Sequence, residues 1–282
     1  MNADDARKWF AEDLRLICGL TSSRLVDAIA TVPRERFLPP GPWQLRGTMD
    51  LAPRVTDDDD PRHVYHDVPL AIIPERNLYN GQPSLIARWI EQLQVDEGAR
   101  VLHIGCGTGY FSAWLAHIVG AAGSVFAIEV DPDLARRAAE NLRPYHWVEV
   151  AAGDGLSGLP GDVDVVLIHA GASHLHDEWL DAATDGGQLL VPMTFALPGM
   201  LAGIGKGMVL HATRTGSDWT ARFSMPVMIY SLIGARSDEA QAALGTALMA
   251  GTFQQVKRLR RDPHEPGPAC WLHGATNCLA TA

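Results

Sequence analysis

Gly105, Gly107 and Gly109 stand at alternate positions between an apolar run at 101–104 and helical apolar spacing at 111–119. Glycines at this spacing let a backbone turn tightly and come close to a ligand. The strand before them is apolar enough to be covered on both faces, and the helix after them offers its first free N–H groups. Two acids recur downstream at matching places. Glu129 ends a strand read over 124–129, where a carboxylate can accept hydrogen bonds from both hydroxyls of a ribose. Asp154 lies between Gly153 and Gly155 at the end of a third strand, a tripeptide that also suits an Asx turn.

The elements that must position these residues alternate in type. Asp131 suits an N-cap and Pro132 a first helical position, so a helix follows Glu129. Further strands are read over 163–169 and 187–192. Such alternation predicts an α/β fold with a doubly wound, parallel sheet and a ligand at the carboxyl ends of its strands. Before this core, helices are expected over 3–19 and from 24 to 31, the second capped by Ser22 or Ser23. An irregular, Pro- and Asp-rich region then runs to about residue 80, and a helix opens at Gln82 and Pro83. After 192 the pattern becomes antiparallel, with a hairpin over 207–213 and 221–230. A helix around 238–250, a basic stretch at 257–261 and a Pro- and Gly-rich tail complete the chain. The expected organisation is a cap region over 1–80, a ligand-binding core over 81–235 and a C-terminal helix and tail over 236–282.

Composition narrows the function. The chain has 282 residues, 47% of them hydrophobic, which is enough for a large core. A net charge of −10 argues against a broad nucleic-acid surface, so no nucleic-acid partner is expected. No apolar run is long enough to span a bilayer, and the N-terminal stretch lacks the apolar centre of a signal peptide. Cys18, Cys106, Cys270 and Cys278 are scattered without a C-x-x-C pair, so reduced thiols and a cytoplasmic location are expected. His63, His66 and Asp67, like His174 and His176, supply metal-ligand types without a recognised spacing, and no metal is expected.

The compact G-x-G-x-G spacing, with Tyr110 where a dinucleotide pattern needs its third glycine, resembles motif I of class I S-adenosylmethionine (SAM)-dependent methyltransferases. A narrower resemblance follows from further residues. Val32-Pro33-Arg34-Glu35-Arg36-Phe37-Leu38, Tyr65-His66-Asp67-Val68-Pro69-Leu70, Gln82-Pro83, the glycine loop and Gly153-Asp154-Gly155 occur in the order found in protein-L-isoaspartate O-methyltransferases. The resemblance spans roughly residues 24–193. It implies a Rossmann-like class I fold with a mostly parallel, seven-stranded sheet, N-terminal helices and a C-terminal extension. It also implies SAM as methyl donor and S-adenosyl-L-homocysteine (SAH) as product. In this reading the cofactor is held by Gly105, Cys106, Gly107, Thr108, Gly109, Glu129, Val130, Gly153, Asp154, Gly155 and Gln82. Glu129 takes the ribose and Asp154 the adenine amine.

One departure bears on the acceptor. Repair enzymes of this family carry a Thr-Ile-Ser-type segment just before the Gln-Pro, and the serine position here is Gly81. The expected reaction is therefore O-methylation of a carboxylate on a peptide or small metabolite rather than standard isoaspartate repair. A carboxylate is ionised at neutral pH and needs no general base. A hydroxyl or amine acceptor would need one, and His169, His174 or His176 are placed for it. Tyr79 and Asn80 are the further candidates for shaping the reacting centre, with Asn80 able to donate to an acceptor oxygen or to the SAM carboxylate. The alternatives are a SAM-binding regulator that has lost turnover and a methyltransferase for a hydroxyl, an amine or nucleic acid.

Overall fold

The computed structural model describes residues 2–47, 52–196 and 203–282. Local sequence signals set its first helices. Helix α1 (Ala3–Cys18) begins in a capping box between Asn2 and Asp5 and ends at left-handed Gly19. Helix α2 (Ser23–Thr31) is capped by Ser22, whose hydroxyl accepts from the Leu25 N–H. The region expected to be irregular holds two small antiparallel ladders. The first joins β1 (Gln44–Leu45) to β2 (Arg54–Val55), and the second joins β3 (Ala71–Ile73) to β4 (Leu78–Tyr79). Residues 48–51 of that region lie outside the described residues.

Strands and helices then alternate as expected, except that no helix separates the last two strands of the series. They are α3 (Pro83–Leu93), β5 (Arg100–Ile104), α4 (Tyr110–Val119), β6 (Ser124–Glu129), α5 (Pro132–Leu142), β7 (Val148–Ala152) and β8 (Val163–Ile168). A short α6 (Asp177–Ala182) leads directly into the long β9 (Ala183–Phe195). The hairpin is formed by β10 (Ile204–Thr215) and β11 (Asp218–Tyr230), followed by α7 (Asp238–Met249). The tail contributes β12 (Arg258–Arg260), β13 (Cys270–His273) and β14 (Cys278–Ala280).

The large sheet has ten strands among the described residues, in the order β13-β14-β12-β11-β10-β9-β8-β5-β6-β7. This corrects the expectation of seven strands and of a mostly parallel sheet. Strand β8 pairs in parallel with β5 and β9, whereas the five pairs from β9 to β13 are antiparallel. The physical reason is that the tail, read as a basic and Pro-rich stretch, adds three strands beside the hairpin. The doubly wound centre is retained. From β5 the chain proceeds outward to β6 and β7, then returns to β8 on the other side of β5. The order thus reverses at β5 and β8, the place where such sheets bind ligands.

Two compact units can be distinguished. One comprises Met1–Ala99, Cys106–Val125 and Asp131–Val150, and the other Arg100–Gly105, Phe126–Val130 and Ala151–Ala282. In the first, Leu25, Ile29, Ile86, Trp89, Ile90 and Trp114 are fully buried where α1, α2, α3 and α4 pack. In the second, the sheet core includes Leu102, Val166, Ile168, Leu189 and Val191, with Trp179 of α6 fully buried against it. The Trp179 indole donates from Nε1 to the Gly155 carbonyl at 2.8 Å, which ties the turn after β7 to this core. Trp179→Phe keeps an aromatic ring and leaves that buried carbonyl unpaired, so it should destabilise by about 1–3 kcal/mol. Urea unfolding with an unchanged m-value checks this; a midpoint equal to wild type would show the bond contributes nothing.

Candidate active site

The second unit brings most of the nucleotide-type residues together through backbone hydrogen bonds. At the end of β5 the Gly105 N–H donates to the Ile128 carbonyl of β6 at 2.8 Å. Beyond β7 the Gly153 N–H donates to the Glu129 carbonyl at 3.0 Å, and beyond β8 the His169 N–H donates to the Ile104 carbonyl at 2.7 Å. Gly105, Glu129, Gly153 and His169 therefore share one edge of the sheet, at its point of reversal. Glu129 is 8% exposed, whereas the neighbouring Val130 is 39% exposed. A buried carboxylate beside an open apolar side chain suits a ligand with a hydroxyl-bearing part and a flat apolar part.

The turn after β7 completes this edge. Asp154 Oδ1 accepts from the Leu156 N–H at 2.9 Å, so the Asx turn forms. Asp154 is exposed, which leaves its other oxygen available to a ligand amine. Gly155 is required by space as well as by conformation. Its φ is +75°, and a Cβ there would lie 2.5 Å from Ile104 Cγ2. The turn is thereby pressed against the end of β5.

The rest of the glycine loop belongs to the first unit. Gly109 is the left-handed N-cap of α4 and supplies no side chain to cap it. The helix therefore begins with N–H groups that a ligand carboxylate can use. Thr108 is buried, and its carbonyl accepts from Asn141 Nδ2 at 2.9 Å. Cys106 is buried as a small packed residue. Over Gly107 the nearest atom to a hypothetical Cβ is Ile72 Cδ1 at 3.7 Å, so this stretch of backbone is open to close approach.

The acceptor-side candidates divide between the units. Tyr79, Asn80 and Gln82 are in the first. Tyr79 is buried, its hydroxyl accepts from Gln44 Nε2 at 2.8 Å, and burial raises its pKa, so it stays neutral at pH 7. Asn80 Oδ1 accepts from the Leu70 N–H at 2.9 Å and from Arg34 Nη2 at 3.3 Å. These two donors fix the amide orientation. Its Nδ2 is buried and has no acceptor among the described residues. Gln82 Nε2 donates to Asp67 Oδ2 at 2.8 Å, and Asp67 Oδ1 accepts from the Ser84 N–H at 2.7 Å. Asp67 thus caps α3, a role that spacing alone did not suggest because its partners are 15 and 17 residues away.

His169 is in the second unit, stacked on buried His103 with ring centroids 5.6 Å apart. Burial pushes its pKa down to about 4. It is neutral at pH 7 but holds a proton too weakly to be an efficient base there. His174 and His176 are engaged with Ser173 Oγ at 2.9 Å and the Ala235 carbonyl at 2.9 Å. The basic stretch of the tail is satisfied by acids: Arg258 pairs with Asp218, Arg260 with Asp262, and Arg261 with Asp177 and Asp181. The His63, His66 and Asp67 group does not converge, since His63 contacts Asp58 and Asp67 caps α3. A different His and Cys group, His264, Cys270, His273 and Cys278, does converge in the tail; it holds no C-x-x-C pair, and the signal that could have found it was the alternation of His and Cys within one short stretch.

Residues 10–206 match the model of the protein-L-isoaspartate(D-aspartate) O-methyltransferase family. A protein-L-isoaspartate O-methyltransferase of Aeropyrum pernix is 32% identical over 194 residues, covering 67% of this chain and 67% of that protein. One of Rhodopseudomonas palustris is 34% identical over 201 residues, covering 68% and 73%. Among solved structures, a protein-L-isoaspartate O-methyltransferase aligns with a TM-score of 0.63 at 23% identity, covering 85% of this chain and 69% of that one. A beta-aspartate methyltransferase structure from Plasmodium falciparum, in complex with SAH, aligns at 0.60 with 16% identity, covering 80% and 97%. The chain belongs to the protein-L-isoaspartate O-methyltransferase family and is a SAM-dependent methyltransferase.

Two outcomes follow. Gly155→Ala should cost about 2 kcal/mol or more, because strain and a clash combine. Gly158→Ala, at a similar φ of +66° with nothing near its Cβ, should cost only about 1 kcal/mol. Equal losses in thermal unfolding would mean that Ile104 yields freely. Second, burial also pushes His211 down to about 4 and His103 well below its usual value. With His169, these groups are neutral when folded, while the unfolded chain takes up their protons near pH 6.5. Stability should be full above pH 6.5 and fall towards pH 4.5, and His211→Gln should flatten the slope. A melting temperature constant across that window would contradict this.

Proposed function

We propose that this methyltransferase acts on a free carboxylate of a peptide or small metabolite and not in standard isoaspartate repair. SAM supplies an electrophilic methyl group on a positively charged sulfur. The chain's part is to bind it, to hold the acceptor in line and to exclude water. For binding, we assign the ribose to Glu129, the adenine to Val130 and Asp154, and the amino-acid end to Gly105, Cys106, Gly107, Thr108 and Gly109. Gly153 and Gly155 shape the adenine turn, and Gln82 acts through its bond to Asp67.

The observation that carries the acceptor reading is Asn80. Its amide presents a buried donor without a partner among the described residues, next to Gly81, where the family resemblance implies a serine in repair enzymes. A donor of this kind suits an acceptor oxygen that is already negative. The low basicity of His169 supports the same chemistry, because a carboxylate needs no proton removed. Tyr79 would wall this side. The four cysteines form no disulfide among the described residues, which supports action in a reducing, cytoplasmic setting.

Labelled SAM should be offered with an isoaspartyl peptide, its aspartyl twin and a panel of peptide and metabolite carboxylates, with SAH binding measured on the same preparation. The expected outcome is SAH binding, no preference for the isoaspartyl peptide, and a base-labile methyl ester on another acceptor. Selective labelling of the isoaspartyl peptide would overturn the proposal. SAH binding with no turnover on any acceptor would favour the regulator reading, for which Gly81 is the motive. Glu129→Ala should weaken SAH binding about tenfold or more, a loss of about 1.4 kcal/mol. Asn80→Asp should lower kcat with little change in SAH affinity.

A further inference from the structure

We infer that His264, Cys270, His273 and Cys278 form a tetrahedral zinc site that staples the C-terminal strands together. This inference is independent of the methyl acceptor, and all four residues lie beyond the part of the chain that matches the family, residues 10–206.

The four ligand atoms lie within 4.8 Å of one another. Zinc–sulfur bonds of about 2.3 Å and zinc–nitrogen bonds of about 2.0–2.1 Å place tetrahedral corners about 3.3–3.8 Å apart. His264 Nε2 and Cys270 Sγ are already 3.4 Å apart, so a small contraction closes the set. Two thiolates and two imidazoles are the donor set that favours zinc, and the two negative charges balance the ion. Four protein ligands leave no open position, so the site is structural.

The surroundings fit ligands rather than stray side chains. His264 Nδ1 is 2.7 Å from the Asp262 carbonyl, and a proton donated there leaves the Nε2 lone pair facing the cluster. The Gly267 N–H donates to Cys270 Sγ at 3.3 Å, which favours the thiolate. Strand geometry gives the third argument. Cys270 and His273 are three residues apart and would face opposite sides of a regular strand. The pairing slips between Cys270 and Leu272: Cys270 opposes Ala280, Leu272 opposes Leu279 and His273 opposes Cys278. Ala280 and Cys278 share a face, so this one-residue bulge puts Cys270, His273 and Cys278 on the same side.

The staple has a mechanical consequence. Strand β13 is one of the two edge strands of the ten, and short edge strands hold poorly by pairing alone. The turn between His273 and Cys278 carries Asn277, whose Nδ2 donates to the Leu175 carbonyl at 3.3 Å. Arg261, just before His264, pairs with Asp177 at 3.3 Å and Asp181 at 2.7 Å on α6. Closing the metal site thus fixes the tail on the segment that follows β8 and carries His174 and His176.

The test is metal analysis of the full chain, produced with zinc in the medium and purified under reducing conditions. About one zinc per chain is expected, as for a closed four-ligand site. Cys270→Ser should abolish it, as should Cys278→Ser. Should the latter, at a buried position, fail to fold, the exposed His273→Ala serves instead. Exchange for cobalt should give the visible absorption of a tetrahedral thiolate site, lost in Cys270→Ser. Chelation should lower the melting temperature, with recovery on adding zinc. Zinc-free protein that gives no cobalt spectrum would overturn the inference. So would a Cys270–Cys278 disulfide in place of metal, or full zinc content retained by Cys270→Ser.

Discussion

The buried guanidinium of Arg34 is the interaction on which the N-terminal unit depends. Its Nη1 donates to the carbonyls of Val64 and His66, each at 2.8 Å, and its Nη2 to that of Val68 at 2.8 Å and to Asn80 Oδ1 at 3.3 Å. Burial lowers its pKa only to about 10, so it stays charged at neutral pH. A charge so deeply placed must be met by oriented dipoles, and here most of them are backbone carbonyls. The chain between Val64 and Asn80 has little regular pairing of its own, so Arg34 supplies what a ladder would. The same group sits 5.8 Å from the ring centre of Tyr110, the first residue of α4. One side chain thereby orders both the segment that presents Asn80 and the residue that follows the glycine loop.

Asp67 extends this logic. Its two oxygens are taken by Gln82 and the Ser84 N–H, so α3 starts where the Arg34-held segment lets it. The motifs around residues 32–38, 65–70 and 82–83 are therefore one hydrogen-bonded assembly. The second unit is built differently: Gly105, Gly153 and His169 are set by strand-end hydrogen bonds, and their positions follow from the sheet's reversal at β5 and β8. Nucleotide-type residues thus rest on regular backbone, whereas Asn80 rests on side-chain chemistry.

That difference explains what could be read from the sequence. Asp131 and Pro132 at the start of α5, Ser22 before α2 and the turn between β10 and β11 are local signals, and each falls where it was expected. The Gly-Asp-Gly turn was equally legible, because an Asx turn needs only neighbours. Arg34 and Asp67 were visible as motif members but not in their roles, since their partners lie up to 46 residues away. The tail escaped for a similar reason. Strand β12 is three residues long, and Arg258 and Arg260 flank the buried Leu259 that alone marks it as a strand. Its partners in β14 are about twenty residues further on, beyond the reach of any periodicity.

The tail also shows why a family pattern and a whole chain can differ in what they specify. The matched residues end at 206, within β10, yet the sheet continues through β11, β12, β14 and β13. Those strands contribute Leu259 and Leu279 to the same core that holds Trp179. Trp179 in turn holds the carbonyl of Gly155, one residue from Asp154. A continuous line of packing and hydrogen bonds therefore runs within this unit from the added strands to the turn assigned to adenine. The extension is part of the core that fixes the edge proposed for the cofactor, and its ordering at β13 and β14 bears on that edge through Leu279 and Trp179.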